Sequence, residues 1–146
     1  MNTKITNIHM EKYRFLEHTA DIKFQAFGKT LDEAFENSAL AMFNTMYEDK
    51  IAEKIKKKIK VSGNDFENLL YNFLEEFLVL LDSEGFFLSK IAKLTIDEKR
   101  LKLEAELIGD KAQNYKIGLD VKAVTYNSMS VKKEKGMWIC QVVVDV

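Results

Sequence analysis

The segment between Asp65 and Gly85 constrains the fold more than any other part of this chain. Leu69, Leu70, Phe73, Leu74, Phe77, Leu78 and Leu81 recur there at the three- and four-residue spacing of an α-helix. The resulting apolar stripe is too wide for a helix lying on a surface, so residues Phe66 to about Leu81 are predicted to form the central core helix. Gly63 and Asn64 interrupt the preceding pattern, and Asp65 supplies an N-cap.

A second helix is predicted from Leu31 to about Thr45. Thr30 and Glu33 form a capping box at its start, and Leu31, Ala34, Phe35, Ser38, Ala39, Met42 and Phe43 make one face that has to pack against a sheet. The rest of the chain reads as strands. Tyr13 to His18 and Asp21 to Phe27 are two short alternating stretches joined by a tight turn around Thr19, Ala20 and Asp21. Ile51 to Val61 alternates imperfectly with lysines. Phe86 to Ile96, Arg100 to Leu107, Val121 to Tyr126, Met129 to Lys133 and Trp138 to Val144 all look extended, with hairpin connections at Asp97-Glu98-Lys99 and Glu134-Lys135-Gly136.

With no proline, no low-complexity linker and no internal repeat, the 146 residues predict one domain, with residues 1–12 as a loose N-terminal extension. Strands and helices do not alternate regularly. The fold class is therefore α+β, with two principal helices packed on one side of a mainly antiparallel or mixed sheet.

Charge and cysteine content narrow the function. The 22 Lys and Arg nearly balance the 23 Asp and Glu, so no global field draws the protein to nucleic acid or an anionic membrane, and any RNA contact is local or indirect. Cys140 is the only cysteine, which excludes an intrachain disulfide and the thiolate zinc frameworks. No apolar run is long enough to span a membrane, and Met1 to Arg14 lacks the apolar block of a signal peptide. These features lead us to expect a cytoplasmic protein.

Standard catalytic signatures are missing: there is no Gly-rich phosphate loop, no GxSxG elbow and no HExxH helix. His9 and His18 are the only histidines, so His-based acid and base chemistry has little to work with. His18 stands three residues before Asp21, where it can orient a carboxylate, sit behind a metal ligand or bond the backbone. On the residues alone the backbone role is favoured. Asp21 alone reads as an ordinary turn residue.

Gln-Val-Val-Val-Asp-Val carries strand-forming residues to Val146, and Asp145 brings its carboxylate beside the Val146 α-carboxylate. A free, solvated end is an equal alternative. If Asp21 and Asp145 converge, an oxygen-only donor set suits a hard cation such as calcium. The basic run of Lys54, Lys56, Lys57, Lys58 and Lys60 can track an RNA backbone, but its alternation with Ile55 and Ile59 favours a guarded edge strand. By parity, Trp138 and Cys140 share one face of the last strand, which favours core packing over a reactive thiol.

Several motifs together resemble the archease family. Phe15-Leu-Glu-His-Thr-Ala-Asp-Ile22 and Gly28-Lys-Thr-Leu-Asp-Glu-Ala-Phe35 look like its opening, and Leu69-Leu-Tyr-Asn-Phe-Leu-Glu-Glu-Phe77 resembles its central helix. Val121-Lys-Ala-Val-Thr-Tyr126 is similar to its late motif, and Trp138 to Val146 to its terminal strand. Asn127 departs from the pattern, standing where the family usually has histidine; an amide hydrogen-bonds but does not titrate.

The resemblance implies a metal site formed by Asp21, Asp145 and Val146, with calcium or a similar divalent cation bound and His18 behind the ligands. It also implies an accessory function rather than catalysis: activation of the tRNA-splicing RNA ligase RtcB by promoting its guanylylation and multiple turnover. The alternative is a chaperone or modulator of RNA-processing proteins such as tRNA methyltransferases. A metal-dependent hydrolase is a third and weaker reading, because candidate bases are few.

Overall fold

The computed structural model describes residues 11–16 and 21–146. Its elements, in chain order, are β1 (Tyr13–Leu16), β2 (Ile22–Gly28), α1 (Leu31–Met46), β3 (Ile55–Ser62), α2 (Phe66–Glu84), β4 (Phe86–Asp97), β5 (Lys102–Lys111), β6 (Ala123–Glu134) and β7 (Met137–Asp145). A short 3₁₀ turn covers Ala112–Asn114.

Both helices start where their caps require. The Thr30 hydroxyl accepts from Glu33 N at 3.1 Å while Glu33 Oε1 accepts from Lys29 N at 2.7 Å, so donors on both sides of the boundary are satisfied. Asp65 repeats the device at α2, accepting from Asn68 N at 2.7 Å, with Asn68 Oδ1 accepting from Asn64 N at 2.9 Å. Gly85 ends α2 in the left-handed region at φ 67°, its N–H closing on the carbonyls of Leu80 and Leu81.

The strands are all antiparallel and divide between two sheets, ordered β1-β2-β7-β6 and β3-β5-β4. α1 packs on β2, β7 and β4, and α2 packs on β6, β3, β4 and β5, so each helix touches both sheets and joins them. The sequence expectation of two helices against antiparallel strands holds, and the division into two sheets explains the breadth of the apolar faces. Leu69, Leu70, Phe73, Leu74 and Phe77 on α2, and Ala34, Phe35, Ala39, Ala41 and Met42 on α1, are fully buried. A helix with sheet on more than one side needs this wider covering.

An aromatic chain runs through the centre. Phe35 meets Phe73 at 5.9 Å between ring centroids, Phe73 meets Phe77 at 5.0 Å, Phe77 meets Phe43 at 5.5 Å, and Phe43 meets Phe87 of β4 at 4.8 Å. Most of these contacts are edge-on, as ring quadrupoles prefer. Gly28 allows the tight passage from β2 into α1, because a Cβ there would stand 2.4 Å from Ala34 N.

Both hairpins fall where the sequence predicts, but the second is tighter than the predicted three-residue connection, because Glu134 pairs with Met137. Lys135 and Gly136 turn between β6 and β7 with φ 52° and 76°, the double positive φ of a type I′ connection. Asp97 Oδ1 accepts from Lys99 N and Arg100 N and shapes the β4–β5 turn. Several predicted boundaries move: β5 runs from Lys102 to Lys111 rather than Arg100 to Leu107, and α2 continues to Glu84. β3 begins at Ile55 rather than Ile51, and the two predicted strands Val121–Tyr126 and Met129–Lys133 form one broken strand, β6, whose pairing lapses between Thr125 and Ser130.

The stretch before β3 is held by side chains instead of a ladder. Tyr115 Oη accepts from Ala52 N at 2.8 Å and donates to Asp110 Oδ2 at 2.7 Å, and Asp110 Oδ1 accepts from Lys111 N at 2.8 Å. Asp110 is buried, and the Tyr115 hydroxyl, followed by the Lys111 N–H, holds its carboxyl below the usual carboxylate range.

Because the folded pKa is depressed, this network stabilises the protein above the ordinary carboxylate pKa, and the contribution fades as pH falls through the lowered value. Asp110→Asn is therefore expected to show a larger deficit in urea-unfolding midpoint at neutral pH than near pH 3, where the unfolded chain's carboxyl has largely taken up its proton and part of the linkage is lost. Phe73→Ala is expected to cost about 3–5 kcal/mol in the same measurement, since Phe73 is fully buried within the aromatic chain.

Candidate functional site

β7 is the inner strand of its sheet, paired with β2 on one side and β6 on the other. Its register with β2 runs from Gly28 opposite Trp138 to Ile22 opposite Val144. The ladder ends at Ile22 and Val144; continued by one step, the same register would set Asp21, the residue before β2, against Asp145, the last residue of β7. Directly opposed positions share a face of the sheet. Phe24, Ala26, Cys140, Val142 and Val144 occupy the face toward the helices, so Asp21 and Asp145 belong to the outer face.

Both aspartates are half-buried, and Lys23 occupies the neighbouring position on the same face, two residues from Asp21. On the other side Asp145 is opposed by Ala123, and Asp145 O accepts from Lys122 N at 2.8 Å. The first residues of the late motif are thereby tied to the end of β7. Val146, one position further, packs partly buried against the core. His18 lies outside the described residues.

The donor chemistry of Asp21, Asp145 and the Val146 carboxylate fits a hard cation, since it consists of oxygens alone. Among the described residues no group of three or more His, Cys, Asp or Glu side chains comes together. Calcium ordinarily takes six to eight oxygens, so waters, main-chain oxygens or groups from a partner would have to complete such a shell.

Sequence reasoning missed the geometry of the rest of the late motif. Where β6 leaves its ladder, Tyr126 and Asn127 are exposed and Ser128 takes a positive φ of 57°. Thr125 Oγ1 donates to Val143 O at 3.0 Å before the break. After it, Gln141 Nε2 donates to Ser128 O at 2.7 Å, and Gln25 Nε2 donates to Gln141 Oε1 at 3.0 Å. A chain of amides thus crosses the outer face from β2 to the bulge. The signal was present as two extended stretches separated by Asn127 and Ser128, but alternation alone does not reveal a bulge. Asn127 lies in this unpaired stretch, so its amide is free of ladder constraints.

The motif order of the sequence agrees with the family that the chain matches. The chain matches the model of the Archease protein family (MTH1598/TM1083) over residues 13–146. It belongs to the archease family. Protein archease of Sulfurisphaera tokodaii is 41% identical over 140 residues, covering 94% of this chain and 100% of that one. The Methanosarcina mazei protein archease is 38% identical over 141 residues, covering 93% and 97%.

Among solved structures, the solution structure of Methanobacterium thermoautotrophicum protein 1598 superposes with a TM-score of 0.80 at 33% identity, covering 92% of this chain and 99% of that one. A crystal structure from Thermotoga maritima, described as an archease and possible chaperone, has a TM-score of 0.64 at 20% identity, covering 90% and 94%. The latter shares the archease fold.

The basic run and the cysteine also have definite places in the fold. β3 is an edge strand with Lys56, Lys58 and Lys60 exposed and Ile59 buried, which is the guarded-edge arrangement. Cys140 is fully buried, and burial pushes its thiol up to about 12, so it is inert as a nucleophile.

The inertness of Cys140 allows a clean test of the register. Directly opposed residues in an antiparallel pair have Cα atoms about 4.5–5.5 Å apart, within disulfide range. A double variant, Asp21→Cys with Asp145→Cys, is expected to cross-link under mild oxidation, seen as a reducible shift on a gel and loss of two titratable thiols. Failure to cross-link would contradict the opposed register.

Proposed function

We propose that this archease-family chain is a cation-binding accessory protein that activates an RtcB-type RNA ligase by promoting its guanylylation and multiple turnover. One observation supports the reading most: the β2–β7 register carries Asp21 toward Asp145 at the end of the sheet where the late motif begins. Opposed carboxylates repel unless a cation or a positive side chain lies between them. Lys23 occupies the same face, and calcium held by Asp21, Asp145 and Val146 would add electrostatic stabilisation where negative charge gathers in nucleotidyl transfer.

In this reading the chain's own residues bind and orient. β7 is paired on both sides, so Asp145 is presented from a rigid strand rather than a loose end. The outer face carrying the two aspartates is the surface that meets the ligase. A donor set with few protein ligands leaves positions for phosphate oxygens or groups from the partner. Activation thus requires a partner, and the chain turns over no substrate by itself.

The chaperone reading predicts a broad exposed apolar surface. Among the described residues the exposed large apolar side chains are Phe15, Val79, Leu119 and Tyr126, which come from four different segments. Val79 and Tyr126 share one side of α2, a small apolar surface bordered by Glu75 and Asp82, which favours a dedicated contact over a general holdase.

Two measurements test the proposal. Calcium at about one hundred times its Kd is expected to stabilise the folded state by roughly 2.7 kcal/mol, raising the thermal midpoint in the wild type but not in Asp21→Asn or Asp145→Asn. With limiting cognate ligase and GTP, the wild type is expected to accelerate ligase guanylylation, and the two folded variants to lose most of that effect. No acceleration by the wild type would transfer the function to the chaperone alternative.

A further inference from the structure

The open side of α2 carries a stripe that neither the core nor the Asp21–Asp145 end uses. Asn68, Tyr71, Glu75, Val79 and Asp82 follow one another at three- and four-residue intervals and therefore share one side of the helix. Tyr126, from the unpaired stretch of β6, lies flat on Tyr71 with ring centroids 4.2 Å apart and an interplanar angle of 6°. Asn68 Nδ2 donates to Tyr126 Oη at 2.7 Å, while Asn68 Oδ1 accepts from Asn64 N at 2.9 Å and from Asn72 Nδ2 at 3.3 Å. The Tyr126 ring is thus fixed at its face and at its hydroxyl.

Despite these restraints Tyr126 remains 51% exposed, and Val79, two turns beyond Tyr71, is 50% exposed. A rigid aromatic ring with a wet face has already lost its rotamer freedom, so a partner covering it has less ordering to pay for. The charge on the helix points to the partner. α2 contains Glu67, Glu75, Glu76, Asp82 and Glu84 and neither lysine nor arginine. Glu84 pairs with Lys57, and Glu67 accepts from Val131 N, which leaves Glu75 and Asp82 exposed on the stripe. Glu75 sits against the Tyr71 phenol, whose pKa is raised by burial and then by that negative charge.

We propose that this stripe docks a basic, amphipathic protein segment that lays an arginine guanidinium on the open face of Tyr126, with its charge toward Glu75, and an aliphatic side chain on Val79. Arginine fits better than lysine because its planar group stacks on a ring while donating in plane to a carboxylate. RNA is disfavoured, since the exposed carboxylates repel a phosphate backbone. Tyr71 and Val79 are separated by roughly 12 Å along the helix axis, so a short segment spans both contacts. The surface is separate from the outer sheet face carrying Asp21 and Asp145, and its test does not depend on cation binding or ligase activation.

The experiment is an NMR titration of the full chain with a synthetic peptide that places arginine and leucine on one helical face. Control peptides replace each arginine by lysine or by glutamate, and an oligouridylate serves as the RNA probe. Shifts are expected at Tyr71, Glu75, Val79, Tyr126 and Asn127, with the arginine peptide binding roughly fivefold tighter than the lysine peptide.

Glu75→Gln and Tyr126→Ala are each expected to weaken binding by roughly fivefold, and Tyr126→Phe to retain it. Glu75 is exposed, so Glu75→Gln separates loss of charge from loss of folding. Shifts mapping to another face, equal binding by arginine and lysine peptides, or a stronger response of the stripe to oligouridylate would each overturn the proposal.

Discussion

The fold depends on the aromatic chain that links Phe35, Phe73, Phe77, Phe43 and Phe87 across α1, α2 and β4. Two three- or four-stranded antiparallel sheets would each be marginal with one face wet. The helices remove that problem by packing on both, and the interlocking rings determine how the helices meet. Dispersion and burial act together here: rings at 4.8 to 5.9 Å fill the space between elements at close to crystalline density. The positions of the sheet edges, and so of the Asp21–Asp145 end and the α2 stripe, follow from that packing.

β7 converts this core into a presenting scaffold. Cys140, Val142 and Val144 face the helices and are fully buried, while Gln141 and Val143 take the opposite face beside Lys23, Gln25, Thr125 and Ser130, where Val143 is covered as well. Because β7 has a neighbour on each side, a one-residue slip would move three buried side chains into water. The same register that protects the core therefore sets where the ends carrying Asp21 and Asp145 lie along the sheet. The bulge in β6 performs the complementary task. By leaving the ladder after Thr125, it releases Tyr126 to lie on α2 and exposes Asn127.

These two surfaces use different physics. The outer end of β2 and β7 carries Asp21 and Asp145, whose side chains offer the oxygen donors that hard cations take in the proposed reading. The open side of α2 offers a stacked ring and separated acids, suited to a planar organic cation. Sharing β6 as a boundary, they allow one small domain to present distinct contacts without changing its core. Much of this was legible in sequence because it is local. Thr30 with Glu33, and Asp65 ahead of the Leu69 to Leu81 stripe, announce helix starts through short-range hydrogen bonds. Lys135-Gly136 announces its turn through backbone conformation. The motifs around Asp21, Val121 to Tyr126 and Asp145 carried the family, since their order along the chain survives without coordinates. By contrast, alternation cannot say which strands pair, so the split into two sheets was invisible, as was the single broken course of β6. The segment before β3 misled for a related reason: Ile51 and Ala52 alternate like strand residues, but a tyrosine hydroxyl distant in sequence takes the Ala52 N–H.

The sequence by itself determined the α+β class, both helices, their caps and the family, because propensity, capping and residue order act over a few positions. Only the tertiary structure decided that Ile22 pairs with Val144, which brings the start of β2 to the end of β7, that Tyr126 stacks on Tyr71, and that the Tyr115 hydroxyl takes the Ala52 N–H. Those relations join residues far apart in the chain. They exist only once strand pairing and core packing have brought their elements together, and local pattern contains no record of the loop closures involved.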